Sequence, residues 1–527
     1  MKKTLLLLIA TLLVSFANAQ FKLIAEGPVF KEPEEGYAKI LQLKNGNTMF
    51  IYVTDKDGID TRLYNPAHQE VGTNHIEPAY NKLGSNDDVE SLFEINGDAV
   101  LMVSKIESRT PILHRIIIDG KTGTIKEDKK IAQLDKVALF GGYAMLFGNV
   151  PMPNFFIRKD PASDNYAIVL FNSFESERSK VIEIVSYGAD NKETGRAYYA
   201  SPNERYKYLR YVDMAVIGSE KVSVLAYGYN TARSGGKESE LILANLDKGN
   251  TAVSFTELGF TKDLLINYGI CRYNAATKNL VVVALAKEKQ KDKGFIPVMA
   301  LINPFDKKII KTGLAVPSER INPFSNNNFT GLPQNLFIKN DGSFSIVFEE
   351  MATTTYSNSY GSTSNTLLGN LAVVNYTADG TPLTDYVIRK SHDLSKTYLS
   401  PLYHSRKEGS MQRLINGNQY KSFALISGAT NSYILFNDTE RNNDKQESGK
   451  LVTIKGVSDS DGFYYPLTGT QATLKREYLF GNAEAKRDHN LALFTISDYD
   501  SKNNMYVTLR LSNQKGKKGV AVVWLQP

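Results

Sequence analysis

Two neighbouring stretches decide the fold: Asn96–Ser104, NGDAVLMVS, and Ile112–Gly123, ILHRIIIDGKTG. Each joins a polar turn to a short apolar, β-branched run. Asn-Gly before such a run is a hairpin signal, because both residues tolerate positive φ. The runs are too short for buried helices and carry no 3.6-residue period. The pair therefore reads as adjacent antiparallel strands.

The same signature recurs along the chain. Turns centred on Gly46, Gly97, Asp164, Ser219, Lys278, Gly342, Gly417 and Asp488 are each followed by an apolar run, at spacings of 51, 67, 55, 59, 64, 75 and 71 residues. A second apolar strand with its own turn follows each, as in LILANLDKGN and LAVVNYTADG. One further strand comes after, such as KLVTIKGV or GVAVVWLQ, and one comes before, such as YAKILQLK or MQRLI. Each unit reads as four strands, A to D, joined by hairpins. Recurring four-stranded units predict an all-β chain forming a single β-propeller of eight blades. Seven blades follow if one unit has been split in two. A lone four-stranded sheet wets both faces, whereas stacked sheets bury them. The middle strands should then be apolar at nearly every position, and VVVALA is. Two tandem β-sandwiches would need a central linker, and none is visible. Phe21 to Phe30 is placed to pair with the last blade; alternatively GVAVVWLQP completes that blade unaided.

The first residues bear on compartment. Lys2 and Lys3 precede an apolar run from Leu5 to Val14 and then Ala17-Asn18-Ala19. This is the pattern of a signal peptide over residues 1–19, with the propeller domain over 20–527. The expected destination is the periplasm, the cell surface or the medium. No later run is long enough to span a bilayer. Loss of Lys2 and Lys3 leaves 60 Lys and Arg against 56 Asp and Glu, a net charge of +4. Such balance argues against nucleic acid as a partner. The single cysteine, Cys271, excludes an intrachain disulfide and reads as a buried small hydrophobe.

Motifs for chemistry are sparse. Asp55, Asp57 and Asp60 surround Gly58 in DKDGID, but position twelve of an EF-hand count falls on Pro66, so a hairpin turn is expected. DSDG (Asp459, Asp461) is treated likewise. The histidines show no zinc spacing. His75 stands near Glu77 on an expected outer strand. Asp488 and His489 are adjacent, so strand alternation points them apart. No catalytic residue, metal ligand or cofactor motif is assigned.

The elaborated connections lie between strands B and C and between D and A, on one propeller face; A–B turns are tight. Three neighbouring B–C connections stand out. Blade four has YNTARSGGKESE with Arg233, blade five has KEKQKDKG with Lys289 and Lys291, and blade six has TTTYSNSYGSTSNT, residues 353–366, with Tyr356, Asn358 and Tyr360. Loops on a rigid scaffold carry binding, and tyrosines among small polar residues suit it. These six residues are the candidate ligand surface. A protein or glycan of the cell envelope is the expected partner. The alternative is an extracytoplasmic hydrolase, glycan-directed, with acidic residues near the propeller axis.

At the level of repeat pattern the chain resembles the WD40/YVTN-like superfamily of β-propellers over essentially all of residues 20–527. YVTD occurs once, at Tyr52 to Asp55, and the only tryptophan is Trp524, so no repeated Trp-Asp pair exists. Kelch double glycines and sialidase Asp-boxes are absent. The chain looks most like uncharacterised secreted propellers of Gram-negative bacteria, and that resemblance implies no activity residue by residue.

Overall fold

The structure is a computed structural model. It describes residues 21–137, 150–173, 175, 177–199, 205–230, 238–288, 294–317, 329–358, 361–406, 411–415, 417–428, 431–446, 449–471, 474–482, 488–514 and 517–527. Among them the strands form eight antiparallel sheets, each with a four-stranded path or one strand more. This is the blade set of an eight-bladed β-propeller. By compactness the chain divides into two units: Pro33–Gln419 with Arg441–Gly456, and Met1–Glu32 with Tyr420–Glu440 and Val457–Pro527.

The larger unit holds blades one to six. All six expected A–B turns separate the strands foreseen for them: 37–42 from 48–54, 88–95 from 98–107, 154–159 from 166–171, 208–217 from 221–229, 265–274 from 279–287, and 332–338 from 344–358. At Asn96-Gly97 both residues are left-handed, φ 54° and 88°, so the turn twists with its strands. The A strands of successive blades lie side by side, from Tyr37–Gln42 through to Leu332–Ile338. The middle strands carry most of the core, and in blade four every residue of Lys221–Tyr229 is buried. Burying each large apolar side chain contributes about 1.5–3 kcal/mol. Polar turns tie neighbouring blades together. Asn45 Nδ2 donates to Gly120 O at 3.0 Å, Gly218 N to Asp160 Oδ2 at 2.9 Å, and Asn274 Nδ2 to Gly342 O at 2.7 Å.

Blades seven and eight, in the smaller unit, depart from expectation by one strand. Gly417 is followed by the 3-10 turn Asn418–Lys421, and the apolar run after it, Phe423–Ser427, is the first strand of blade seven. Strands Ser432–Asp438, Asp461–Pro466 and Glu477–Tyr478 complete that blade. Blade eight begins likewise with His489–Ala492, followed by Met505–Gln514 and Lys517–Gln526. GVAVVWLQ is therefore its third strand. The fourth is the N-terminal strand Lys22–Glu26, paired with Lys517–Gln526. Phe21 anchors it, its ring 5.0 Å from Tyr433 and 4.7 Å from Tyr464. MQRLI is not an A strand of blade seven either: Gln412–Arg413 pairs with Tyr37–Ala38 of blade one. KLVTIKGV contributes only an isolated bridge from Ile454 to His392. A polar turn before an apolar run marks the start of a strand. It does not say whether the strand before it is a hairpin partner.

The B–C connections of blades one and two are short, so the elaboration expected on this face is not shared by every blade, and DKDGID forms the hairpin turn expected of it. In blade one the DKDG turn spans only the residues between Thr54 and Gly58. In blade two Ser108 and Arg109, at φ 50° and 72°, close the hairpin.

Candidate binding face

Residues 353–358 and 361–366 are a pair of strands rather than a loop. Strand B of blade six runs Phe344–Asn358 and strand C runs Gly361–Tyr376. Their register is continuous past the sheet, from Met351↔Leu368 to Asn358↔Gly361. The hairpin forms an arm. Hydroxyl pairs hold it on one face: Thr353 with Thr366 at 3.0 Å, Thr355 with Ser364 at 2.8 Å, and Ser357 with Ser362 at 2.8 Å. Strand alternation places every second residue on that face, and cross-strand hydroxyl pairs are a favoured combination. On strand B, Ala352 to Ser357 are all exposed. On strand C the base of the arm is covered, because His392–Leu394 pairs with Thr366–Leu368.

Where the arm leaves the sheet there is a fully buried ion pair. Lys390 Nζ donates to Glu349 Oε1 at 2.6 Å with both side chains at 0% exposure. Tyr403 Oη donates to the second carboxylate oxygen at 2.7 Å. A connecting segment and a short helix thus converge on one carboxylate of strand B. A register shift between Glu349 and Met351 lies beside it, as at a β-bulge.

A second buried charge joins blades three, four and five on their A strands. Asp213 accepts from Arg158 Nη2 at 2.5 Å, from Arg272 Nη1 at 2.7 Å and from Cys271 N at 2.8 Å. Burial pushes its acidity toward the neutral form. The two guanidinium groups and backbone N–H donors outweigh this and hold the carboxyl below its ordinary range. Cys271 is fully buried beside it, and burial raises its thiol well above the usual range. It packs as a small hydrophobe. On blade four, burial and the charge of Glu257 push Glu240 up, and Tyr206 Oη lies 3.2 Å from it.

The smaller unit has its own polar cluster. Asp438 and Asp461 face each other at the end of blade seven. Arg476 Nη1 holds Asp438 at 2.6 Å, and His489 Nδ1 lies 2.9 Å from Asp461 Oδ2. His489 thus pairs with Asp461, which comes from another strand. His75 is exposed and pairs with Asp60 at 2.8 Å, not with Glu77. Two carboxylates of DKDGID go to separate partners, Asp55 to Arg413 at 2.9 Å and Asp60 to His75. Among the described residues no three His, Cys, Asp or Glu are grouped as metal ligands.

Of the six candidate site residues, Tyr356 lies on the arm and is 62% exposed. Asn358 is the last paired residue of strand B, opposite Gly361. Tyr360, Lys289, Lys291 and Arg233 lie outside the described residues. The anchors Glu349, Lys390 and Tyr403 were not legible as a group, because they come together only across 54 residues of chain.

The fold and this face define a class, an eight-bladed β-propeller with one blade drawn out into an arm. No family model matches the chain, and no curated protein matches it. Among solved structures, a protein from Lactobacillus plantarum aligns at 10% identity over 85% of this chain and 96% of its own, TM-score 0.37. The polysaccharide lyase Uly1 aligns at 8% identity over 86% and 92%, TM-score 0.35. Trypanosoma rangeli sialidase in complex with DANA aligns at 10% over 71% and 55%, TM-score 0.29. No helix among the described residues is long and apolar enough to cross a membrane.

Proposed function

We propose that this chain is an exported β-propeller that acts as a binding or scaffolding module, with its ligand surface on the B–C and D–A face of blades four to six. The observation that supports this is the arm. Its residues 353–366 carry no charge and no proline, and Tyr356 stands exposed on a paired, pre-ordered strand. Aromatic area on an ordered element binds at low entropic cost. Tyr360, Lys289, Lys291 and Arg233 belong to the same proposed surface, and the ligand is a protein or glycan of the cell envelope. Export rests on residues 1–19; N-terminal sequencing of protein from the periplasm or medium should begin at Gln20. The finer WD40/YVTN-like kinship rests on repeat pattern alone.

The test compares wild type, a Tyr356→Ala variant and a variant with residues 353–366 replaced by Asn-Gly. Retention is measured on a glycan array and by cross-linking in native envelope. Wild type should retain a ligand that both variants lose. Equal retention by all three removes the arm from the binding surface. The hydrolase alternative has less support: Asp213, Glu349, Asp438 and Asp461 are each capped by a cation or histidine.

A further inference from the structure

The arm also has an edge, separate from its faces. Strand A of blade six pairs with strand B only as far as Glu349, so the outer edge of the strand beyond it has no strand partner among the described residues. An unpaired edge is a template for another strand, and proteins protect such edges with charges or proline. The outermost strands elsewhere in this chain follow that rule. Ile125–Gln133 carries Lys129 and Lys130, Lys308–Leu314 carries Lys311, and Pro382–Ile388 carries Pro382 and Asp385. The edge MATTTYSN, residues 351–358, carries none of these. A two-stranded hairpin by itself is marginal in water, and further strands stabilise it.

Directions along the edge follow from the hydroxyl pairs. Side chains touch across the non-hydrogen-bonded, closely spaced pairs of an antiparallel ladder. Those are Thr353–Thr366, Thr355–Ser364 and Ser357–Ser362. Thr353, Thr355 and Ser357 therefore present their backbone N–H and C=O groups outward. These three groups are self-complementary about Thr355. In a two-fold antiparallel pair Thr355 faces its own copy, and Thr353 faces Ser357 of the other chain. Each such pair exchanges two backbone hydrogen bonds. The hydroxyl faces align, and no like charges meet.

We propose that the outer edge of Met351–Asn358 pairs antiparallel with the same edge of a second copy of this chain, centred on Thr355. The contact is isologous, as two-fold dimers are. It is smaller than the ~1,200 Å² of stable interfaces, so the dimer is concentration-dependent. This goes beyond the ligand reading, which uses the arm's faces.

Sedimentation velocity on the full exported chain, from about 1 μM to about 500 μM, tests it. Wild type should pass from monomer to dimer. Thr355→Lys and Thr355→Glu each place a like charge against itself and should weaken self-association about tenfold or more. An equal mixture of the two should restore it to near wild type. Position 355 is exposed, so thermal unfolding of both variants should match wild type. Three results overturn the proposal: a wild type monomeric throughout, which assigns the edge to a strand of a different protein; charge variants that associate like wild type; or a mixture no better than its components. Failure of the ligand reading appears separately, as unchanged retention by Tyr356→Ala.

Discussion

Asp213 shows what a single residue does in this fold. Its carboxylate is shared by arginines from two neighbouring blades; Asp213 and Arg272 are buried and Arg158 is half-buried. Removing it leaves both guanidinium groups without that partner. Asp213→Ala should cost about 3–5 kcal/mol in urea unfolding at pH 7. The pH dependence has a fixed sign. The folded carboxyl titrates below its ordinary value. Its contribution is therefore complete above the unfolded value of ~3.9 and is lost as pH falls through the folded one. The gap between wild type and Asp213→Ala should close below about pH 4 and stay constant above about pH 5. A gap that widens in acid would contradict this. Lys390 poses a related case. Lys390→Met strands the Glu349 charge in the core and should cost about 3–5 kcal/mol, whereas Glu349→Met with Lys390→Met should recover most of the loss.

At the scale of elements, the arm and the N-terminal strand contrast. The arm buries little, so its hydroxyl pairs contribute roughly 0.2–1 kcal/mol each and act locally. Replacing Thr353, Thr355 and Ser357 together by alanine should leave the melting temperature nearly unchanged while speeding amide exchange at 361–366, read by mass spectrometry. The N-terminal strand contributes Phe21 to the core of Tyr433, Leu435, Tyr464 and Tyr506. Phe21→Ala should cost about 3–5 kcal/mol. The composition of the arm was legible in the sequence, and so was its position between strands B and C of blade six. Its form was not. Uncharged Ser, Thr and Asn suit a turn or a strand equally, and pairing energy from the adjoining sheet decides for the strand.

For the whole molecule, the division into two units has a consequence for unfolding. Blade eight takes its fourth strand from Lys22–Glu26. Phe21→Ala should therefore raise exchange first in 423–438, 461–478 and 489–526 of its own unit, with blades one to six retaining protection. Loss of protection spread evenly over all eight blades would refute this. The sequence by itself determined the all-β class, the repeat of four-stranded units and the six turns from Gly46 to Gly342; the structure decided for eight blades over seven. The features legible in sequence rest on local chemistry: turn residues with permitted φ, and apolar runs of strand length. Tertiary structure alone decided the strand assignments of the last two blades, the origin of the final strand, the arm and the buried carboxylate partners. Each of these joins groups far apart in the chain, and a local pattern cannot rank one distant pairing over another.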